Sequence, residues 1–132
     1  MINTHHFCVK ITQLKGMLKK AQKIKVSFFI PEIFKTPHAD IKSVHLSIRD
    51  EDNNPIEGWV KTTIVKGKDN KDLLTEVHKT KLVDFYKNPQ EIIFEFIAEQ
   101  KLPSGSYTAK IYTVDNYIGS VDFKIRKLFW FF

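Results

Sequence analysis

The sequence predicts an all-β protein, an antiparallel sandwich of seven or eight short strands with a basic N-terminal appendage. Three observations carry this. Short segments of alternating apolar and polar residues recur between clusters of turn formers, as in Val44-His-Leu-Ser-Ile48 before Asp50-Glu-Asp-Asn-Asn-Pro55. Leu102-Pro103-Ser104-Gly105-Ser106 reads as a tight corner leading into an alternating strand through Tyr112. With 132 residues, 42% of them hydrophobic, the chain suffices for one domain with a real core.

Residues 7–22 admit two readings. Ile11, Leu14, Leu18 and Ala21 follow a helical face, yet Phe7-Cys8-Val9 looks like a strand start and Gly16 disfavours a helix by about 1 kcal/mol. A short strand followed by a basic helix or hairpin accommodates both. From residue 24 the period is that of strands. Ile24–Ile30 ends at Pro31, and the two prolines between Pro31 and Asp40 mark a crossing loop. In the next strand Val44, Leu46 and Ile48 share one face, with His45 and Ser47 on the other. Trp59–Val65 follows, then a solvated tip at Lys66–Lys71, then one longer or broken strand over Leu73–Phe85. Asn88-Pro89 turns the chain into a strand whose Ile92, Phe94 and Phe96 share a face. After the corner, Tyr107, Ala109 and Ile111 point inward. Asp115-Asn116 turns the chain, and Val121, Phe123 and Ile125 close the last strand.

The segment Leu102–Tyr112, with a Tyr two residues after Gly105 at the start of a late strand, resembles the tyrosine corner of immunoglobulin-like sandwiches. Together with the strand after it, the resemblance covers about a fifth of the chain. It implies that the Tyr107 phenol bonds back to the backbone just upstream, with Gly105 and Tyr107 as the structural corner. Antibody domains carry a cysteine two residues after that tyrosine; here the position is Ala109, so the inter-sheet disulfide is absent. Trp59 is the candidate for the core tryptophan. Sandwiches with a similar closing hairpin mostly hold, dock or present something else, although fold alone does not determine function.

Charge is unevenly spread. Residues 1–30 contain six lysines and no acid, while the remaining residues balance 15 basic against 15 acidic side chains, so the formal +6 belongs to the first 30. This is either a solvated lysine face or a basic surface for an acidic protein, acidic lipid or nucleic acid. Cys8, the single cysteine, allows no intramolecular disulfide and is expected as a small buried hydrophobe. No secretory signal and no apolar run of membrane-spanning length is read, which makes a cytoplasmic location the expectation.

Candidate chemistry is sparse. Asp50, Asp52 and Asn54 have the first spacings of a calcium loop, but Pro55 and Lys61 stand where an EF-hand needs Gly and Glu. The expected alternative is a turn in which these side chains cap their own backbone. His5, His6 and Cys8 are close in sequence, yet no second ligand pair completes a zinc site. His38, His45 and His78 are expected at the surface. No nucleophile elbow, P-loop or dinucleotide fingerprint occurs, so no catalytic residues, metal or cofactor are assigned and an enzyme is not expected.

The C-terminus stands out: Arg126-Lys127 precede Leu128-Phe129-Trp130-Phe131-Phe132. These rings pack in the core or on the N-terminal segment, insert into a groove of a partner or sister subunit, insert at a membrane interface, or mark the cut end of a longer chain. The parts expected are thus an appendage (1–22), a sandwich (23–127) and an aromatic tail (128–132). The functional expectation is a non-catalytic protein–protein interaction or assembly module. Phe129, Trp130, Phe131 and Phe132 would anchor the partner, and Lys15, Lys19, Lys20 and Lys23 would guide it. A peripheral anionic-lipid or nucleic-acid-binding domain is the alternative, and no small-molecule substrate is expected.

Overall fold

The computed structural model describes residues 7–13, 22–56, 60–98 and 102–125. Strands make up most of it: β1 (Phe7–Gln13), β2 (Gln22–Ile30), β3 (Ile41–Asp50), β4 (Lys61–Lys66), β5 (Asp72–Val77), β6 (Lys79–Asp84), β7 (Gln90–Ala98), β8 (Gly105–Tyr112) and β9 (Tyr117–Ile125). All pairings are antiparallel. One sheet has the order β1-β2-β7, a second β6-β3-β8-β9, and β4-β5 form a separate hairpin. The protein is an all-β antiparallel sandwich with an added hairpin layer.

Alternation builds the core. On β2, Ile24, Val26, Phe28 and Ile30 are buried; on β7, so are Ile92, Phe94, Phe96 and Ala98. The register sets Ile24 opposite Phe96, Val26 opposite Phe94 and Phe28 opposite Ile92, which places apolar pairs on one face. The Phe28 and Phe94 rings stack at 6.1 Å. The facing sheet contributes Val44, Leu46, Ile48, Ala109, Ile111, Ile118 and Ile125 to the same cluster. Each large apolar side chain so buried contributes about 1.5–3 kcal/mol over exposure.

β1 pairs with β2 from Phe7 opposite Phe28 to Gln13 opposite Gln22, so the chain reverses between them. The connecting residues 14–21, which carry the helix-or-hairpin alternative, lie outside the described residues. At the lateral opening between the sheets, the Lys81 ammonium donates to the Ile93 carbonyl on β7 at 2.8 Å. A lysine there occupies an edge acceptor that would otherwise invite strand addition.

The corner is formed as read. The Tyr107 hydroxyl donates to the Pro103 carbonyl, and the ring stacks on Phe123 at 5.7 Å. Gly105 has φ +152°, a conformation that side-chain-bearing residues rarely adopt. The Asp50–Pro55 turn also caps itself: an Asp50 carboxylate oxygen accepts from the Asp52 N–H at 2.9 Å and the Asn54 N–H at 3.0 Å.

One expectation is resolved and one corrected. Of the two readings of Leu73–Phe85, the broken strand holds: the break is at His78, and the halves serve different sheets, β5 pairing with β4 and β6 with β3. His45 and His78, expected at the surface, are each 6% exposed, and Ser47 is fully buried. The physical reason is the β4-β5 hairpin. It covers the polar face of β3 that the alternation assigns to solvent. His38 is exposed.

Candidate functional site: a polar cluster beneath the β4-β5 hairpin

β3 is central in its sheet, so its outer face presents His45, Ser47 and Arg49 in a row between flanking strands. β5 lies over that row, and the bonds between them run side chain to side chain and side chain to backbone. Arg49 is the hub. Its Nε donates to Ser47 Oγ at 3.0 Å and its Nη1 to the Asn53 carbonyl at 3.2 Å. Its Nη2 donates to Thr75 Oγ1, to the Glu76 carbonyl at 3.3 Å and to Glu76 Oε1 at 3.0 Å. Ser47 Oγ in turn donates to the Glu76 carbonyl at 2.8 Å. A buried guanidinium is tolerated only when its fork of donors is this well occupied. The half-exposed Glu76 carboxyl is held below its ordinary value by its own backbone N–H and by Arg49.

His78 joins the hairpin to the sheet. Its backbone N–H donates to the Leu46 carbonyl at 2.7 Å. β6 pairs with β3 only as far as Leu46 opposite Lys79, and beyond that point the His78 ring takes the place of a strand. The Ile48 N–H donates to Nδ1 at 3.1 Å. Because that partner is a donor, Nδ1 must be unprotonated, and Nε2 carries the proton that it donates to the Ile56 carbonyl at 3.1 Å. The Phe96 ring meets the imidazole edge-on at 5.3 Å. Burial lowers the His78 pKa, and the Arg49 charge adds to this. His45, whose Nδ1 lies 2.8 Å from Thr80 Oγ1, is likewise shifted down by burial and by Lys61.

Val65 and Val77 are buried under the hairpin but stand apart from the main apolar cluster, so this is a second, smaller interior. At its far end the Lys66 N–H donates to the Thr113 carbonyl at 3.0 Å, which ties β4 to the β8–β9 turn. The outer face of the hairpin is different. Ile64 and Leu74 lie directly opposite one another and are 53% and 67% exposed. The Lys66–Asp72 ion pair, 2.8 Å, flanks this pair on the side of the tip.

Chemically the cluster is a fastening. Both His78 nitrogens, the Ser47 hydroxyl and the Arg49 fork are occupied by bonds within the protein. A separate concavity of about 330 Å³ lies beside Tyr107 and is lined by Glu51, Ser106, Thr108, Asp122, Phe123 and Lys124; within it Thr108 Oγ1 donates to Asp122 Oδ1 at 2.8 Å. Among the described residues no group of three His, Cys, Asp or Glu side chains is placed to hold a metal ion, and no helix is long and apolar enough to cross a membrane.

Of the residues singled out in the sequence, Gly105 and Tyr107 form the corner. Lys15, Lys19, Lys20, Phe129, Trp130, Phe131 and Phe132 lie outside the described residues, as do His5, His6 and Trp59. Lys23 sits in β2 opposite Thr12 and Ile97, and Cys8 in β1 opposite Ser27; their side chains are outside the described set. The Arg49 cluster escapes a reading by alternation. One signal pointed to it: nineteen lysines and two arginines make an arginine in mid-strand a choice for planar, multi-donor bonding.

Fold and cluster together define an antiparallel β-sandwich whose outer sheet face carries a polar-fastened hairpin. The chain belongs to the family described as domain of unknown function DUF8428, whose model matches residues 11–126. No curated protein matches it.

Proposed function

We propose that this is a non-catalytic interaction module that docks a partner protein through the outer face of the β4-β5 hairpin. The observation that carries this reading is the Ile64–Leu74 pair. These two large apolar side chains are directly opposed and exposed on a hairpin whose underside is held by the Arg49 cluster. An apolar pair presented on a braced element suits an interface, because little ordering is lost on binding. The aromatic residues Phe129 to Phe132 and the N-terminal lysines extend the same reading as a second anchor and an electrostatic guide. A cytoplasmic location and kinship with immunoglobulin-like domains belong to it too, the latter supported by the Tyr107–Pro103 bond.

The test is capture of partners from extract of the source organism, with nuclease, at low and high salt, using the wild type and Ile64→Lys/Leu74→Lys. A discrete protein retained at high salt and lost with the double variant is the expected result. Recovery of only lipid or nucleic acid, released as salt rises, would overturn the reading in favour of charge-driven binding. Deleting residues 128–132 should weaken capture and leave the sandwich folded; unfolding would instead assign those rings to the core.

A further inference from the structure

We propose that His78 is an acid-sensitive latch: a second proton on its ring releases the β4-β5 hairpin from the four-stranded sheet while the sandwich core stays closed. The inference is independent of what the hairpin binds.

It rests on the geometry at the junction of β5 and β6. Three bonds converge on His78: its N–H to the Leu46 carbonyl, the Ile48 N–H to Nδ1, and Nε2–H to the Ile56 carbonyl. The Ile48 donor leaves room for one tautomer only. Protonating Nδ1 turns an acceptor into a donor and sets N–H against N–H inside a site that is 6% exposed. The ring cannot rotate to escape this, because a half-turn about Cβ–Cγ would set Cδ2–H against the Ile48 donor and Cε1–H against the Ile56 carbonyl, and both bonds would be lost. The charged groups facing it are Arg49 from β3, which repels the imidazolium, and Glu76 from β5, which attracts it but is half-exposed and already bonded to Arg49. The Ile56 segment offers a neutral carbonyl and β7 the edge-on Phe96 ring. Burial, with Arg49, lowers the affinity of His78 for that proton, so protonation favours the detached state.

The hairpin is what yields, because it is the least anchored layer. Its buried apolar contribution is Val65 and Val77, outside the main cluster, and its other ties are the Arg49 and Ser47 bonds and the Lys66–Thr113 bond. Layers with few buried apolar contacts open at lower free energy than the core strands. Protonation of His45, beside Thr80 and Lys61, acts in the same direction, so the test must separate the two histidines.

The experiment is hydrogen exchange of the full chain at about pH 7.5 and about pH 5, corrected for the intrinsic pH dependence of exchange. Residues 61–78 are followed against β2 and β7, in the wild type, His78→Asn and His45→Asn. In the wild type the hairpin amides should exchange at least about tenfold faster at the lower pH with β2 and β7 still protected. His78→Asn, which keeps an acceptor for Ile48 but does not titrate, should remove that pH dependence, and His45→Asn should keep most of it. Nitrogen shifts of the imidazole in the wild type provide a readout that needs no variant to fold: the neutral Nε2–H tautomer is expected at the higher pH. The proposal is overturned by an Nδ1–H tautomer, by no acid response of the hairpin, by simultaneous loss of hairpin and core protection, or by a response that survives in His78→Asn.

Discussion

Replacing Arg49 by Met removes the hub of the fastening and leaves a side chain of similar length in its place. The loss follows from its partners. Ser47 Oγ and Thr75 Oγ1 lose a donor inside the protein, and the Asn53 and Glu76 carbonyls lose one at its margin. A hydrogen bond of this kind is worth about 0.5–1.5 kcal/mol net, more where a charge takes part. The Glu76 carboxylate counts for little, because it is 41% exposed and water replaces the guanidinium there. The hydroxyls can turn to other acceptors, so the four neutral contacts do not each count in full. The expected loss is about 2–4 kcal/mol, on the order of 10 °C in melting temperature for a domain of this size. Arg49→Lys should recover little of it, since one ammonium cannot serve acceptors spread over Ser47, Asn53 and β5. Urea unfolding followed by circular dichroism measures this, with hydrogen exchange of residues 61–78 reporting whether the hairpin leaves first. An Arg49→Met protein within about 1 kcal/mol of wild type, with a protected hairpin, would show that Val65 and Val77 hold that layer unaided.

Tyr107→Phe keeps the stack on Phe123 and loses only the bond to the Pro103 carbonyl, so a urea midpoint shift equivalent to about 1 kcal/mol is expected. Global stability should also fall in acid. The folded-state pKa values of His45 and His78 lie below the ordinary value, so the unfolded chain binds more protons below about pH 6.5. The stabilisation from these groups is complete above that pH and is lost as pH falls, by less than about 1.4 kcal/mol per pH unit for each histidine. Urea midpoints across pH 5–8 check the sign, and a stability that rises as the pH is lowered through this window would refute it.

The legible part of this protein is the part that obeys one rule at a time. In Ile24 to Ile30 and Ile92 to Ala98 an apolar residue recurs at every second position, and those residues are buried on one face, although Phe29, Ile93 and Ile97 stand on the other. The corner was legible because three local requirements coincide within six residues: a proline carbonyl, a glycine at positive φ and a tyrosine long enough to reach back. β3 was half legible. Its apolar face was assigned correctly, but its polar face reads the same whether water or a second layer covers it. Hydroxyls, amides and a guanidinium satisfy either partner, so alternation carries no information on the difference. The place of the break, at His78, and the change of sheet there were illegible for a related reason. Leu73–Phe85 is chemically suited to strand throughout, and the division comes from β3, which β6 accompanies only as far as Leu46.

A polar fastening also explains why the hairpin's two faces are unlike. Its buried side sets Thr75 and only two valines against Ser47 and Arg49 of β3, while its apolar Ile64 and Leu74 are left outside. For the two faces of a hairpin to trade places, the register need slip by only one residue. Apolar packing, being non-directional, resists such a slip weakly when both faces carry aliphatic residues. The directed bonds to the Glu76 carbonyl and carboxylate resist it strongly, because the slipped hairpin would bury Glu76 and take Thr75 and Glu76 out of register with the Arg49 Nη2 donor. If this is what the cluster does, stability and specificity can be separated. Ser47→Ala/Arg49→Met/Thr75→Val removes the buried polar side chains together and leaves the Asn53 and Glu76 carbonyls, at the margin, to water; replacing a buried charged cluster by apolar side chains is often neutral in free energy. The triple variant should therefore regain most of the stability lost in Arg49→Met, to within about 1 kcal/mol of wild type. Cross-strand amide contacts measured by NMR should nevertheless show the β4-β5 layer seated in more than one register. A triple variant as unstable as the single one, or a single native register in its spectra, would place the source of that register elsewhere than in the cluster.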